Sequence, residues 1–302
     1  MKSLGAGFIL LAIALMPVSA QVTVELTQEQ DQFLPAESIP LTVRITNRSG
    51  QSLRLGRGEE WLTFSVESRE GAVVPKLGEV PVGEEFMLES SRVVTLRVDL
   101  APYFALNRSG RYSVTAIMQL KDWNQNVRSQ PRSFDIIEGA RLWEQVIGVP
   151  NSALGGNASP EIRKFVLQEA NHLKSQLRLY VRVTDASGAK TFRVFPLGPM
   201  VSFGRPDPQV DKFSNLHLLY QVGPHSFNYA VINPEGEIIA RRTYDYVDKR
   251  PRLQPDAEGK VLVTGGIRRP TAQDVPSSKS ANSTEAEPKP TPSPGEMMPV
   301  EL

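Results

Sequence analysis

The chain has 302 residues, with 34 Lys and Arg against 33 Asp and Glu, and it holds no cysteine. That composition excludes disulfides, thiolate metal sites and cysteine nucleophiles, so stability must come from burial. A near-zero charge argues against nucleic-acid binding, which leaves a strongly basic footprint, and the roughly 280 residues beyond a leader suffice for two domains.

Residues 1–20 read as a secretory signal: Lys2 supplies the positive region, Leu4 to Met16 the apolar stretch, and Val18-Ser19-Ala20 the small-residue cleavage site. The apolar stretch is too short to cross about 30 Å of hydrocarbon. No later run suggests a stop-transfer segment, so the expected product begins at Gln21, without a transmembrane anchor, in a periplasmic or extracellular space. Without Lys2 the balance is 33 basic to 33 acidic residues. Residues 21–138 carry 13 basic and 16 acidic side chains, whereas residues 139–267 carry 16 and 12. Asn-x-Ser/Thr sequons at Asn47, Asn107, Asn157 and Asn282 read as chance occurrences.

Residues 21–138 predict a β-sandwich. Val22, Val24 and Leu26 alternate, as do Ile39, Leu41, Val43 and Ile45, before the turn Asn47-Arg48-Ser49-Gly50. Short runs follow at Trp61 to Val66, Val93 to Val98, Tyr112 to Met118 and Phe134 to Ile137. Tyr112 follows a Gly turn at a strand start, with Val114 two residues on, which is the arrangement of a tyrosine corner and favours an immunoglobulin-like topology.

Residues 139–160 concentrate breakers, including Gly148-Val149-Pro150 and Gly155-Gly156-Asn157, and predict a partly ordered linker. From 162 to 173 the residues fit a helix, with Ile162, Phe165, Val166, Glu169 and Leu173 at helical spacing, or a strand, with Arg163, Phe165 and Leu167 alternating. Residues 161–267 otherwise read as an antiparallel β-meander. Asp211 to Leu218 and Asp256 to Val263 share one pattern at an offset of 45 residues, a blade-like echo that is too short to close a propeller and fits an incomplete propeller or a small sandwich. Turns are expected at Asp185 to Gly188, Asn233 to Gly236 and Asp256 to Gly259. Residues 268–302 are rich in Pro, Ser and Glu and predict a disordered tail.

Catalytic chemistry has no anchor here. His172, His217 and His225 form no zinc spacing, and His217 reads as a structural residue pointing opposite to Leu216 and Leu218. Nucleophile-elbow, phosphate-loop and dinucleotide motifs do not occur, and Asp256-x-Glu258-Gly259 lacks the further oxygen ligands of a calcium loop. No cofactor or metal is therefore expected. The run Arg241 to Arg252 interleaves cations with tyrosines, and on a strand Arg242, Tyr244 and Tyr246 share a face. With Arg250 and Arg252 they form a candidate surface for sugars or acidic polymers. The alternative is an edge strand guarded by charge.

Leu34-Pro35-Ala36-Glu37-Ser38-Ile39 through Asn47-Arg48-Ser49-Gly50 resembles the opening of immunoglobulin-like modules in secreted bacterial proteins. Pro208 to Tyr220, with Arg250 to Gly266, resembles a family of uncharacterised exported bacterial proteins of verrucomicrobial type. The resemblance implies fold and export, with no activity to transfer. The expected function is non-enzymatic binding to a protein or a cell-envelope polymer. The alternative is a polysaccharide-acting hydrolase, or an accessory module, with carboxylates in the second domain.

Overall fold

A computed structural model describes residues 22–58, 60–149, 161–172 and 176–275, which places the signal segment 1–20 outside the described residues. The described chain is all-β, with two short 3-10 turns at Ala101–Tyr103 and Lys121–Trp123.

The first module uses β1 (Val22–Thr27), β2 (Gln32–Phe33), β3 (Pro40–Asn47), β4 (Leu53–Leu55), β5 (Leu62–Ser68), β6 (Phe86–Leu88), β7 (Val93–Asp99), β8 (Gly110–Leu120), β9 (Gln125–Arg128) and β10 (Arg132–Ile136). One sheet runs β1-β3-β7, and the other runs β2-β10-β8-β5 with β9 also on β8. β2 joins β10 in parallel, while the other pairs in these sheets are antiparallel. Successive residues of a strand point to opposite faces, so the alternating sequence buries Leu41, Val43 and Ile45 from one sheet against Phe64, Val66, Val114 and Ala116 from the other. Removing each such Val, Leu, Ile or Phe side chain from water contributes about 1.5–3 kcal/mol. Tyr112 packs its ring on Phe134 at 5.8 Å and donates its hydroxyl hydrogen to Arg108 O at 2.8 Å. Asn47 is fully buried, and its amide donates to Gln51 O and Leu88 O, so that sequon belongs to a turn and is closed to modification.

The second module is also a sandwich. β11 (Ala140–Val149), β12 (Glu161–His172), β13 (Gln176–Asp185) and β14 (Thr191–Pro199) form a meander. It faces a sheet of β15 (Asp207–Val210), β16 (Leu216–Gln221), β17 (Ser226–Ile232), β18 (Ile238–Asp245) and β21 (Ile267–Arg269). Phe165, Leu167, Val181 and Val183 from one sheet meet Leu216, Leu218, Tyr220 and Ile232 from the other. A hairpin of β19 (Arg252–Pro255) and β20 (Val261–Thr264) covers the far side of the second sheet, where Leu253 and Val261 pack on Leu219, Tyr229 and Val231.

Four expectations resolve differently or more sharply in these strands. The linker read over 139–160 starts as a strand, because Ala140–Val149 finds an antiparallel partner in β12; residues 150–160 lie outside the described residues. The open choice over 162–173 resolves to strand as far as His172. The 45-residue echo is turn chemistry, not a blade: Asp211 Oδ1 accepts from Phe213 N and Asn215 N, and Asp256 Oδ1 accepts from Glu258 N and Lys260 N. Gly259 takes the left-handed conformation that closes one turn, and Ser214 takes it in the other. The tail expected from 268 opens inside the sheet, since β21 pairs with β18 and Val275 exchanges backbone hydrogen bonds with Arg241; residues 276–302 lie outside the described residues.

The two modules meet on the outward face of β13. Leu34 packs there with Ala170, Tyr180 and Val194. Arg182 donates to Pro35 O at 2.8 Å and to Gln168 Oε1, and Arg178 donates to Gln30 Oε1. Glu37 is buried and accepts from Leu34 N at 2.7 Å and from the Gln30 amide. Burial nevertheless pushes its carboxyl above the usual range, against the lowering pull of those hydrogen bonds and of Arg178. The same burial, with the charge of Glu37, pushes the Tyr180 phenol up to about 12.

Two outcomes test this architecture. Tyr112→Phe should cost about 1 kcal/mol, read as a lower urea midpoint at unchanged slope; an unchanged midpoint would remove the hydroxyl's role. Between the unfolded value near 4.5 and the raised folded value, Glu37 binds a proton more readily in the folded chain than in the unfolded one. The stability of the native chain relative to E37Q should therefore be greatest below the unfolded value and fall as pH rises through the folded one; parallel curves would refute the assignment.

Candidate binding surface at one end of the second sandwich

β16 runs between two polar ends. At its start, the Asp211 turn meets His217, whose side chain points away from Leu216 and Leu218 and is almost fully buried. His217 Nε2 lies 3.0 Å from Asp211 Oδ2, and Nδ1 lies 2.7 Å from the Tyr229 hydroxyl. A carboxylate only accepts, so Nε2 donates to Asp211, and in the neutral ring Nδ1 accepts from the phenol. Burial works against ionisation of Asp211. The hydrogen bonds from His217, from the Asn215 side chain and from Asn215 N outweigh it and hold the carboxyl below its ordinary value. Burial pushes the Tyr229 phenol strongly upward. An acid–imidazole–hydroxyl chain is a familiar catalytic order, but this one ends on a buried phenol that the imidazole already occupies. Its work is to tie the turn to β16 and β17.

At the other end Gln221 gathers three loops. Its backbone carbonyl accepts from Val201 N, which fastens loop 200–206. Its amide donates to Gly223 O and Pro224 O, which fixes the turn before β17. Its Oε1 accepts from Arg250, whose guanidinium also lies 5.2 Å from the centre of the Phe227 ring. Loop 246–251 is held further by Tyr246 N donating to His225 O and by Gly266 N donating to Lys249 O. Phe203 is 78% exposed, Val247 60%, Ile267 59% and Tyr246 38%. Arg205, Lys249 and Arg250 belong to the same loops, with Asp207, Asp245 and Asp248 as the nearby acids in the sequence; Asp245 is paired with Arg269 and Asp207 accepts from Leu253 N.

The five residues singled out from sequence divide here. Tyr246 and Arg250 belong to this loop end. Tyr244 is half-buried, edge-on to Tyr229 at 6.4 Å, in the apolar layer under the β19–β20 hairpin. Arg242 stands opposite Tyr229 in the ladder and is likewise engaged, and Arg252 opens β19, exposed. The guarded-edge alternative fails, because β18 has β17 on one side and β21 on the other. Sequence reasoning missed Phe203, Arg205 and Gln221; a lone exposed Phe beside Gly204-Arg205-Pro206 in a turn was the signal available. The first module carries shallow hollows on its surface. One is an open hollow of about 420 Å³ lined by Arg69, Arg111 and Asp135, in which Arg111 and Asp135 already pair at 2.8 Å.

Comparison with known proteins adds no function. No family model matches the chain, and no curated protein sequence matches it. Among solved structures, the sporulation control protein Spo0M from Bacillus subtilis aligns at TM-score 0.30 and 8% identity over 57% of this chain and 82% of that one. AvmM, described as catalysing macrocyclization in alchivemycin A biosynthesis, aligns at TM-score 0.21 and 13% identity over 39% of this chain and 90% of that one. Likenesses this weak carry no argument.

The His217 chain is testable as structure. Tyr229→Phe leaves Nδ1 without its donor and should cost about 1–2 kcal/mol in denaturant unfolding. The stabilisation from Asp211 is present above its unfolded value near 3.8 and is lost as pH falls through the depressed folded value. D211N should therefore flatten the acid limb of the stability profile, and an unaltered limb would overturn the assignment.

Proposed function

We propose that the chain is an exported, non-enzymatic binding protein whose second sandwich attaches it to the cell envelope. The observation that carries this reading is the loop end around Gln221, where Phe203 and Tyr246 stand exposed beside Arg205, Lys249 and Arg250. Several apolar side chains exposed together at one end of a sheet and rimmed by polar groups mark an interaction site, whereas a single exposed one such as Phe213 needs no partner. Guanidinium and ammonium groups beside them suit an anionic partner. Export rests on the Lys2, Leu4 to Met16 and Val18-Ser19-Ala20 order. The first module is read as an immunoglobulin-like spacer, supported by the sheet orders β1-β3-β7 and β2-β10-β8-β5 and by the Tyr112 hydroxyl bond to Arg108 O.

The hydrolase alternative finds no comparable support among the described residues. The carboxyl pushed upward, Glu37, sits in the joint between modules with its oxygens taken by Leu34 N and Gln30.

Cosedimentation of the mature chain with isolated envelope fragments, membranes and wall polymer together, tests the reading. The wild type should pellet with the fragments, and the double variant Y246A/R250A should lose about tenfold in retention, as expected when an anchor side chain and a paired cation leave an interface. Equal retention of both proteins, or none of either, would overturn it.

A further inference from the structure

We propose that the partner of this loop end is an anionic lipid surface, with the loop tips entering the headgroup layer. The proposal rests on the binding reading above and narrows its partner. Sugar recognition uses aromatic faces and directional hydrogen bonds. Two of the exposed tips here, Val247 and Ile267, are aliphatic and offer neither. They gain only by leaving water.

The four side chains stand on three segments: Phe203 in loop 200–206, Tyr246 and Val247 after β18, and Ile267 at the start of β21. A protein partner would have to supply a fitted pocket for each, whereas the fluid boundary between headgroups and acyl chains closes around separate tips. Charge points the same way. Arg205 and Lys249 lie in the same loops as the apolar tips, and their long stems let the charged heads stay at headgroup level while the tips go deeper; Arg250, held by Gln221 and Phe227, adds a fixed charge, so the cations of these loops outnumber Asp248. The modules differ in the same sense: residues 139–267 carry 16 basic and 12 acidic side chains, and residues 21–138 carry 13 and 16. An anionic surface would thus attract the second sandwich and turn the first away. Gln221 makes the arrangement rigid, since it bonds to loop 200–206, to the turn at 223–224 and to Arg250.

Flotation of the mature chain with vesicles is the test. One set mixes phosphatidylglycerol with phosphatidylcholine, a second is phosphatidylcholine alone, and purified wall polysaccharide is sedimented in parallel. The chain should float with the mixed vesicles, and each cation removed, as in K249A or R205A, should weaken partitioning about fivefold, an effect that salt erases. F203S/V247S should lose about tenfold or more, because both side chains leave the acyl boundary. Their native exposure keeps that substitution neutral for folding. F213S, which changes an exposed Phe at the opposite end of β16, should float as wild type. Sedimentation with polysaccharide but not vesicles, lost in Y246A/R250A, would overturn the lipid partner and keep the binding reading. Binding to neither would overturn both. Equal weakening by F213S and F203S/V247S would show non-specific adhesion and end the lipid proposal.

Discussion

The second sandwich depends on one strand that is buried on both faces. Leu216–Gln221 sends Leu216, Leu218 and Tyr220 into the space between the two sheets, and His217 and Leu219 toward the layer beneath the β19–β20 hairpin. A strand with no wet face cannot alternate apolar with polar residues, so the sequence Leu-His-Leu-Leu-Tyr reads as nearly continuous apolar character. The one polar exception, His217, must have both ring nitrogens satisfied, and Asp211 and Tyr229 do this. Polar obligations are thereby pushed to the strand's ends. At one end they become the Asp211 turn, and at the other they become Gln221 and the loops it holds.

A similar logic builds the joint between modules. β13 is apolar on its inner face, at Leu179, Val181 and Val183, but its outer face carries Arg178, Tyr180 and Arg182. Two guanidinium groups flanking a ring cannot be left half-dry, and the first module answers them with the backbone oxygen of Pro35 and the side-chain Oε1 of Gln30 while Leu34 covers the ring. Glu37 completes the contact by holding Leu34 N, and left-handed Ala36 makes the chain turn tightly enough for it to do so. Such a joint is specific more than strong, because its charged members give up water to form it. It also leaves the loop end of the β16 sheet uncovered, since the first module sits on the other sheet of the sandwich.

How much of this was legible from sequence follows from which forces act locally. Strands with one wet face, such as Pro40–Asn47 and Gly110–Leu120, announce themselves by period, and turns such as Asp256 to Gly259 by their own side-chain chemistry. β11 was hidden because its residues are mostly exposed and it exists through pairing with β12, a contact with no local signature beside Gly148 and Pro150. β12 was ambiguous because its middle, Phe165 to Leu167, is buried on consecutive positions. Of the candidate surface, Tyr246 and Arg250 were readable as an aromatic–cation run. Tyr244 shares that run, but the hairpin of β19 and β20, which follows it in sequence, folds over its side. Phe203 and Gln221 are unremarkable in isolation, and only the fold makes them neighbours.

The division of labour within β16 bears on how such a surface can change. Its interior residues touch three layers, so substitution there disturbs packing on both sides. The loops at Gln221 touch the core through a few hydrogen bonds and the stacking of Arg250 on Phe227, so their tips vary at little cost to the fold. A sandwich whose central strand is fixed on both faces, with a glutamine at its end whose side-chain amide bonds to two loops and whose backbone carbonyl bonds to a third, holds those loops in register without a disulfide. In a chain with no cysteine, that hydrogen-bonded clamp takes the place of a covalent staple: it gives the exposed tips a fixed spacing while their side chains remain free of the core.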